Sequence, residues 1–155
     1  MKATIKFNGK EYDAVLIEKK VESKRWKPED GEKYWYANIS GSCCTYNWSN
    51  DDFDNFLYGQ RNVFETKAEA EKHLEYLKSL AILRDDAGDW EPDWNNTRQE
   101  KYRIYFDCYV DKLFVSSTKA YRSINELHFE TEKAAQKSID DHEEHWLRVL
   151  GVNDD

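Results

Sequence analysis

Four residues near the C-terminus, His142-Glu143-Glu144-His145, are the nearest thing in the chain to a metal-binding signature. Zinc proteases place two histidines four residues apart with a glutamate directly after the first, so that both imidazoles share one helix face. Here the spacing is three and no third ligand is evident. His142 falls on an apolar stripe and His145 off it, which reads as one core histidine and one surface histidine. Cys43, Cys44 and Cys108 form an odd set without CxxC spacing. Neighbours on a strand point to opposite faces, so Cys43 and Cys44 cannot chelate one ion together, and all three read as reduced thiols of a cytosol. Nucleophilic chemistry has no better basis: there is no GxSxG, no cysteine with an identifiable His and Asn partner, and no glycine-rich phosphate loop. Carboxylate pairs such as Asp51-Asp52, Asp85-Asp86 and Asp140-Asp141 read as solvated faces rather than acid–base dyads. The expectation is a protein that is not an enzyme and takes no metal or cofactor.

What the sequence offers instead is material for binding. Asp51, Asp52, Phe53, Asp54 and Phe56 form one acidic–aromatic run, and Asp85, Asp86, Asp89, Trp90, Glu91, Asp93 and Trp94 form another. Aromatic rings supply anchors and carboxylates supply steering, the composition of a surface that meets a basic protein. Phe53, Asp54, Phe56, Asp89, Trp90 and Trp94 are the candidate partner-binding residues. The alternative reading of the same runs is that the rings point inward and only the acids show. One basic–aromatic cluster, Lys24, Arg25, Trp26 and Lys27, with Arg103 and Arg122 as additions, could instead stack a base and hold phosphates.

The balance of charge limits the partners. Among 155 residues, 31 are acidic and 23 basic, for a formal net charge of −8 and a pI near 5.1. Direct nucleic-acid binding is not expected from such a surface, although carboxylates can imitate phosphates in another protein's basic groove. Six Trp, ten Tyr and seven Phe are too many for a disordered chain. No apolar run approaches the ~20 residues that span a bilayer, and Met1-Lys2 opens no signal peptide, so no membrane partner is expected.

The elements that must carry these residues read as α+β. Residues 3–18 suggest an N-terminal β-hairpin around Asn8-Gly9, the pair a type I′ turn favours. Aromatic strands follow over Lys33–Ile39 and Cys44–Trp48, and residues 49–62 read as an acidic loop. Thr66 and Glu69 spell a capping box, after which Ala70, Leu74, Leu77 and Ala81 fall on one helical stripe up to Gly88. Residues 89–100 read as a linker in which Trp90 and Trp94 pin the chain to the body. A second strand-rich block runs from Lys101 to Thr118, then a looser stretch to His128. A second helix runs from Thr131 to about Leu150, with Ala135, Ile139, His142, Trp146 and Val149 on its stripe and Gly151 at its end.

The two halves repeat. Phe64-Glu65-Thr66 returns 65 residues later as Phe129-Glu130-Thr131, with Ala70 matching Ala135 and Leu74 matching Ile139; Lys33-Tyr34 returns 68 residues later as Lys101-Tyr102. One domain over 1–155 is expected: hairpin and loop (1–25), unit 1 (26–88), linker (89–100) and unit 2 (101–152). The two helices are expected to share one antiparallel sheet, and each Phe to staple the chain as it enters its helix.

The runs WKPEDGEKYWY (Trp26–Tyr36) and NDDFDNFLYGQRNVFETKAEAE (Asn50–Glu71) resemble small accessory proteins of phages and prophages of Gram-positive bacteria. Those carry a W…G-x-x-Y-[YW] strand and a G-N-x-F-x-T-x-E-E-A-E helix start. Here Gly59-Gln60-Arg61-Asn62 replaces the direct Gly-Asn step. Trp94-Asn95-Asn96, KYRIYFD and Phe129-Glu130-Thr131 resemble the usual continuation, so the likeness covers most of 26–152. It implies phage origin and a place in the host bacterial cytoplasm, and carries over no catalytic residue. The function expected is inhibition of a bacterial immune component, such as a CRISPR effector nuclease. The alternatives are a sponge for an immune signalling nucleotide and a structural or regulatory phage protein.

Overall fold

The computed structural model describes residues 2–15, 25–122 and 127–152. Strands β1 (Lys2–Phe7) and β2 (Lys10–Val15) pair antiparallel with Phe7 opposite Lys10. Asn8 and Gly9 both take positive φ (52° and 76°), which a two-residue type I′ turn requires. The end of the expected hairpin at residues 16–18, Lys24, and residues 123–126 of the looser stretch lie outside the described residues.

β3 (Lys33–Ala37) and β4 (Cys43–Asn47) form the second hairpin, with Tyr34 opposite Tyr46 and Tyr36 opposite Cys44. The residues that follow, read as a loop, are helix α1 (Asp52–Gly59). Asp and Asn are turn formers in general, but Asp51 is the cap here, its carboxylate accepting from the Asp54 N–H at 2.9 Å. Asp52 and Asp54 lie in the first turn, where the helix dipole favours negative charge.

Past α1, Phe64 pairs with the outer edge of β3: its N–H donates to Trp35 O at 2.9 Å and its C=O accepts from Trp35 N–H at 2.8 Å. The Asn62 side chain prolongs that edge, accepting from Ala37 N–H and donating to Ala37 O. Helix α2 (Lys67–Ala87) starts three residues after Phe64 with its capping box complete and ends at Gly88, whose φ of 66° suits glycine. In the second half, β5 (Lys101–Asp107) and β6 (Lys112–Thr118) pair antiparallel, Phe129 bridges to Tyr102 in the same two-bond manner, and α3 (Glu132–Val149) follows its Thr131 cap. The fold is α+β, with the repeat of strands and helix visible in three dimensions.

Three expectations need correcting. Among the described residues the strands make three separate two-stranded sheets, and the helices share no sheet. The β3–β4 and β5–β6 hairpins are each covered by the helix that their own bridging Phe leads into, and the halves join where α2 packs on α3. Second, Phe64 and Phe129 stand two residues before their caps, one too far for a staple. Their backbones work as a third short strand instead. Third, the bridges superpose Trp35 on Tyr102, so Tyr34 matches Lys101, one residue off the match of identical letters.

The main core joins Leu83 of α2 to Ile104, Phe129, Ala135, Ile139 and Trp146. The α3 stripe is as read. On α2, however, Leu77 and Ala81 are exposed, and Ala70, Ser79 and Leu83 are buried. This helix faces a hairpin at one end and α3 at the other, so its buried line shifts around the axis. A second core, Tyr34, Trp48, Leu57 and Val63, lies between the β3–β4 hairpin and α1.

Candidate binding surface

Strand alternation puts Tyr34 and Tyr36 of β3 with Cys44 and Tyr46 of β4 on the face away from α2, and α1 lies across it. Phe53 sets its ring edge-on to Tyr36 and Tyr46, with centroids 5.7 and 5.8 Å away. From there the rings continue inward through Tyr34, Trp48 and Tyr58 at spacings of 5.9–6.4 Å. Edge-to-face contacts of this kind contribute about 0.5–1.5 kcal/mol each beyond burial and hold each ring in place. Phe53 and Phe56, one helical turn apart, remain 43% and 59% exposed. Asp51 and Asp52, at the start of the same helix, are exposed beside them. The result is a pre-ordered apolar patch with an acidic border.

Asp54 is the anchor below that patch. It is fully buried, accepting from Tyr34 O–H at 2.7 Å, from Ser49 N–H at 2.7 Å and from Ser49 Oγ–H at 3.1 Å. Burial alone would raise its pKa, but these donors outweigh it, and the carboxyl is held below its ordinary range. Burial, then the bond to Asp54, pushes the Tyr34 phenol well above its usual value. Asp54 therefore cannot meet a partner and is corrected from surface contact to structural group. Burial also raises Tyr36, so its ring stays neutral near pH 7 and carboxylates supply the charge of this face.

The second acidic run divides. Asp89 is exposed and Trp90 half-buried. Trp94 lies edge-on to His128 at 5.0 Å, with the Lys101 ammonium 5.2 Å and the Arg122 guanidinium 5.7 Å from its ring. Lys101 is fully buried, donating to the carbonyls of Asn96, Gln99 and Lys119. Trp94 thus closes over an internal cation, and the pinning role read for it holds.

In the basic cluster, Arg25 lies 3.8 Å over the Tyr58 ring and donates to Tyr58 O, and Lys27 stands 5.0 Å over Trp48. Half-buried Trp26 packs beside them. Arg25 and Lys27 brace the aromatic core, and Arg25 and Trp26 also line a shallow cavity with Arg61 and Phe64. His142 and His145 face the α2–α3 seam: His142 Nδ1 is 2.8 Å from Asp86 Oδ2, and His145 Nδ1 is 3.0 Å from Ser79 Oγ. Ser79 is fully buried and also accepts from Arg148, so this Ser–His pair has no access to a substrate. His145, read as a surface residue, is half-buried. No group of three or more His, Cys, Asp or Glu side chains converges among the described residues.

Tyr36 and Tyr46 belong to the patch but were not among the residues singled out; the period-two spacing of Tyr34 and Tyr36 was the available signal. The geometry defines an α+β protein of twin hairpin–helix units bearing one acid-bordered aromatic surface. No family model, curated protein or solved structure matches the chain. Among the described residues no helix is long and apolar enough to cross a membrane.

Proposed function

We propose that the chain is a phage-encoded, non-enzymatic inhibitor that binds a bacterial defence protein through the α1 surface, in the host cytoplasm. The observation that carries the reading is the pair of exposed rings, Phe53 and Phe56, on one face of α1 behind its acidic start, with Phe53 held edge-on to Tyr36 and Tyr46. A fixed ring loses little entropy on docking, and a border of carboxylates steers it to a basic groove such as the nucleic-acid channel of a CRISPR effector nuclease. Asp89 and Trp90, in the loop after α2, are the remaining contacts from the original set; Asp54 and Trp94 serve the fold.

The test is phage plating on hosts that carry defined immune systems, with and without the chain expressed. Wild type is expected to restore plating by orders of magnitude on at least one CRISPR-immune host, and the Phe53→Ser/Phe56→Ser variant to lose that effect while folding normally. A folded double variant that protects as well as wild type would remove α1 from the proposal. Wild type without effect on any nuclease-based system would remove the anti-defence role.

A further inference from the structure

Asn8-Gly9 is the one Asn-Gly pair of the chain, and it forms the turn between β1 and β2. Asparagine is among the thermolabile side chains, because the next backbone nitrogen can attack its carboxamide. That attack needs an unhindered nitrogen, an N–H without an acceptor and a carboxamide that nothing holds. The turn meets all three. Both residues are exposed, and a Cβ added at Gly9 would meet no atom beyond its chain neighbours within 4 Å. Among the described residues the Gly9 N–H donates to no acceptor and the Asn8 carboxamide has no partner. By contrast, Asn38 Oδ1 accepts from the N–H groups of Ser40 and Ser42. Asn55 Nδ2 donates to two carbonyls, and Asn62 is bonded through both side-chain atoms to Ala37.

We propose that Asn8 is a site of self-modification that releases the first hairpin. The Gly9 nitrogen attacks Asn8 Cγ and passes its proton to water. The bond from Cγ to the side-chain nitrogen breaks, and ammonia leaves a five-membered succinimide. Water then opens the ring. Breaking the new Cγ–N bond gives aspartate; breaking the original peptide bond gives isoaspartate, whose main chain runs through Cβ and Cγ. Either product adds one negative charge to the −8 of the chain. Aspartate keeps the turn, since Asp-Gly suits type I′ as Asn-Gly does. Isoaspartate puts an extra carbon into the main chain, so the pairing of Phe7 with Lys10 no longer closes over two residues. β1 and β2 form a sheet of two strands without a third, so the turn carries much of what holds them. The same isolation supplies the opening: the Asn8–Gly9 peptide must rotate before the ring closes, and a two-stranded hairpin opens more readily than a strand bonded on both edges. The inference is independent of the α1 surface.

Peptide mapping by mass spectrometry tests it, on the full chain kept in mildly alkaline buffer beside a synthetic peptide of residues 4–12. Asn8 is expected to convert before any other asparagine, more slowly than in the peptide, with isoaspartate as the main product. Gly9→Ala should slow conversion at least about tenfold by crowding the attacking nitrogen, even though alanine strains the turn at φ 76° and so favours opening. Trypsin should cut the converted chain at Lys6 and Lys10 faster than the fresh one. Asn8→Asp, which carries the charge without the extra carbon, should resist trypsin as the fresh chain does. Asn8 still intact when the peptide has fully converted would overturn the proposal, as would another asparagine converting first. Equal trypsin resistance of fresh and isoaspartate-bearing chains would overturn the release.

Discussion

Unit 1 and unit 2 are built on one frame and closed in two different ways. In both, a hairpin receives a bridging Phe on its outer edge, a Thr caps the helix, and a fully buried alanine (Ala70 or Ala135) lets the helix settle close. The far face of each hairpin differs. Tyr34 of unit 1 matches Lys101 of unit 2, and Val63 matches His128; all four are buried. Unit 1 covers this face with α1 and an aromatic core around one carboxylate. Unit 2 covers it with the segment carrying Trp94, whose neighbourhood surrounds one ammonium. The frame tolerates opposite charges at one position because each charge brings its own hydrogen-bond partners. Only the cover that is a helix also turns two phenylalanines outward.

The bridging residues give the widest separation between the units. Phe129 is 1% exposed against Trp146, whereas Phe64 is half-buried. Phe129→Ala should cost about 3–5 kcal/mol in urea denaturation and Phe64→Ala about half as much. Equal losses would mean that the two bridges carry equal packing. Next come the two buried charges. Asp54→Ala leaves Tyr34 O–H and Ser49 N–H without their acceptor, a loss of about 3 kcal/mol. Lys101→Met keeps the apolar stem and frees carbonyls that lie near the surface, for about 1–2 kcal/mol. The reverse order would show the ammonium to be the more deeply committed group.

Acid should act on unit 1 first. Asp54 titrates lower in the folded chain than the ordinary ~3.9 of the unfolded one, so its stabilisation is present above about pH 4 and is lost as pH falls through the folded value. Asp54→Asn should flatten that part of the stability–pH curve, followed by circular dichroism between pH 6 and 2. The smallest effects concern the caps. Thr66→Ala and Thr131→Ala should each cost about 1 kcal/mol, with Thr66 the more costly by a few tenths because Glu69 reciprocates there and unit 2 has Ala134 at that position. Thermal melts of the pair resolve the difference.

The repeat was legible in the sequence because its marks are local. Phe-Glu-Thr, the alanine one turn on and the stripe of α3 sit at fixed spacing, and helix caps depend on neighbouring residues alone. Unit 1's second cover was not legible. Asn50–Asn55 has the composition of a loop, and only the buried partners Tyr34 and Ser49 convert Asp54 into a helix anchor. Matching identical letters put the strands one residue out of register, since the true equivalence pairs a tyrosine with a lysine. Of the candidate surface, Phe53 and Phe56 are exposed as expected, while Asp54 and Trp94 turned inward. No local pattern distinguishes a carboxylate that borders a patch from one that supports it.

The three hairpins never merge, and this determines how the molecule gives way under load. A continuous ladder of strands would carry strain from one end to the other through many parallel bonds. Here, strain on one unit reaches the other chiefly where α2 lies along α3, through Leu83 among apolar neighbours and through the Asp86–Ser138 and Ser79–His145 contacts. That seam is a coupling joint: while it holds, the halves melt as one body, and loosening it would let each half rattle and fail on its own schedule.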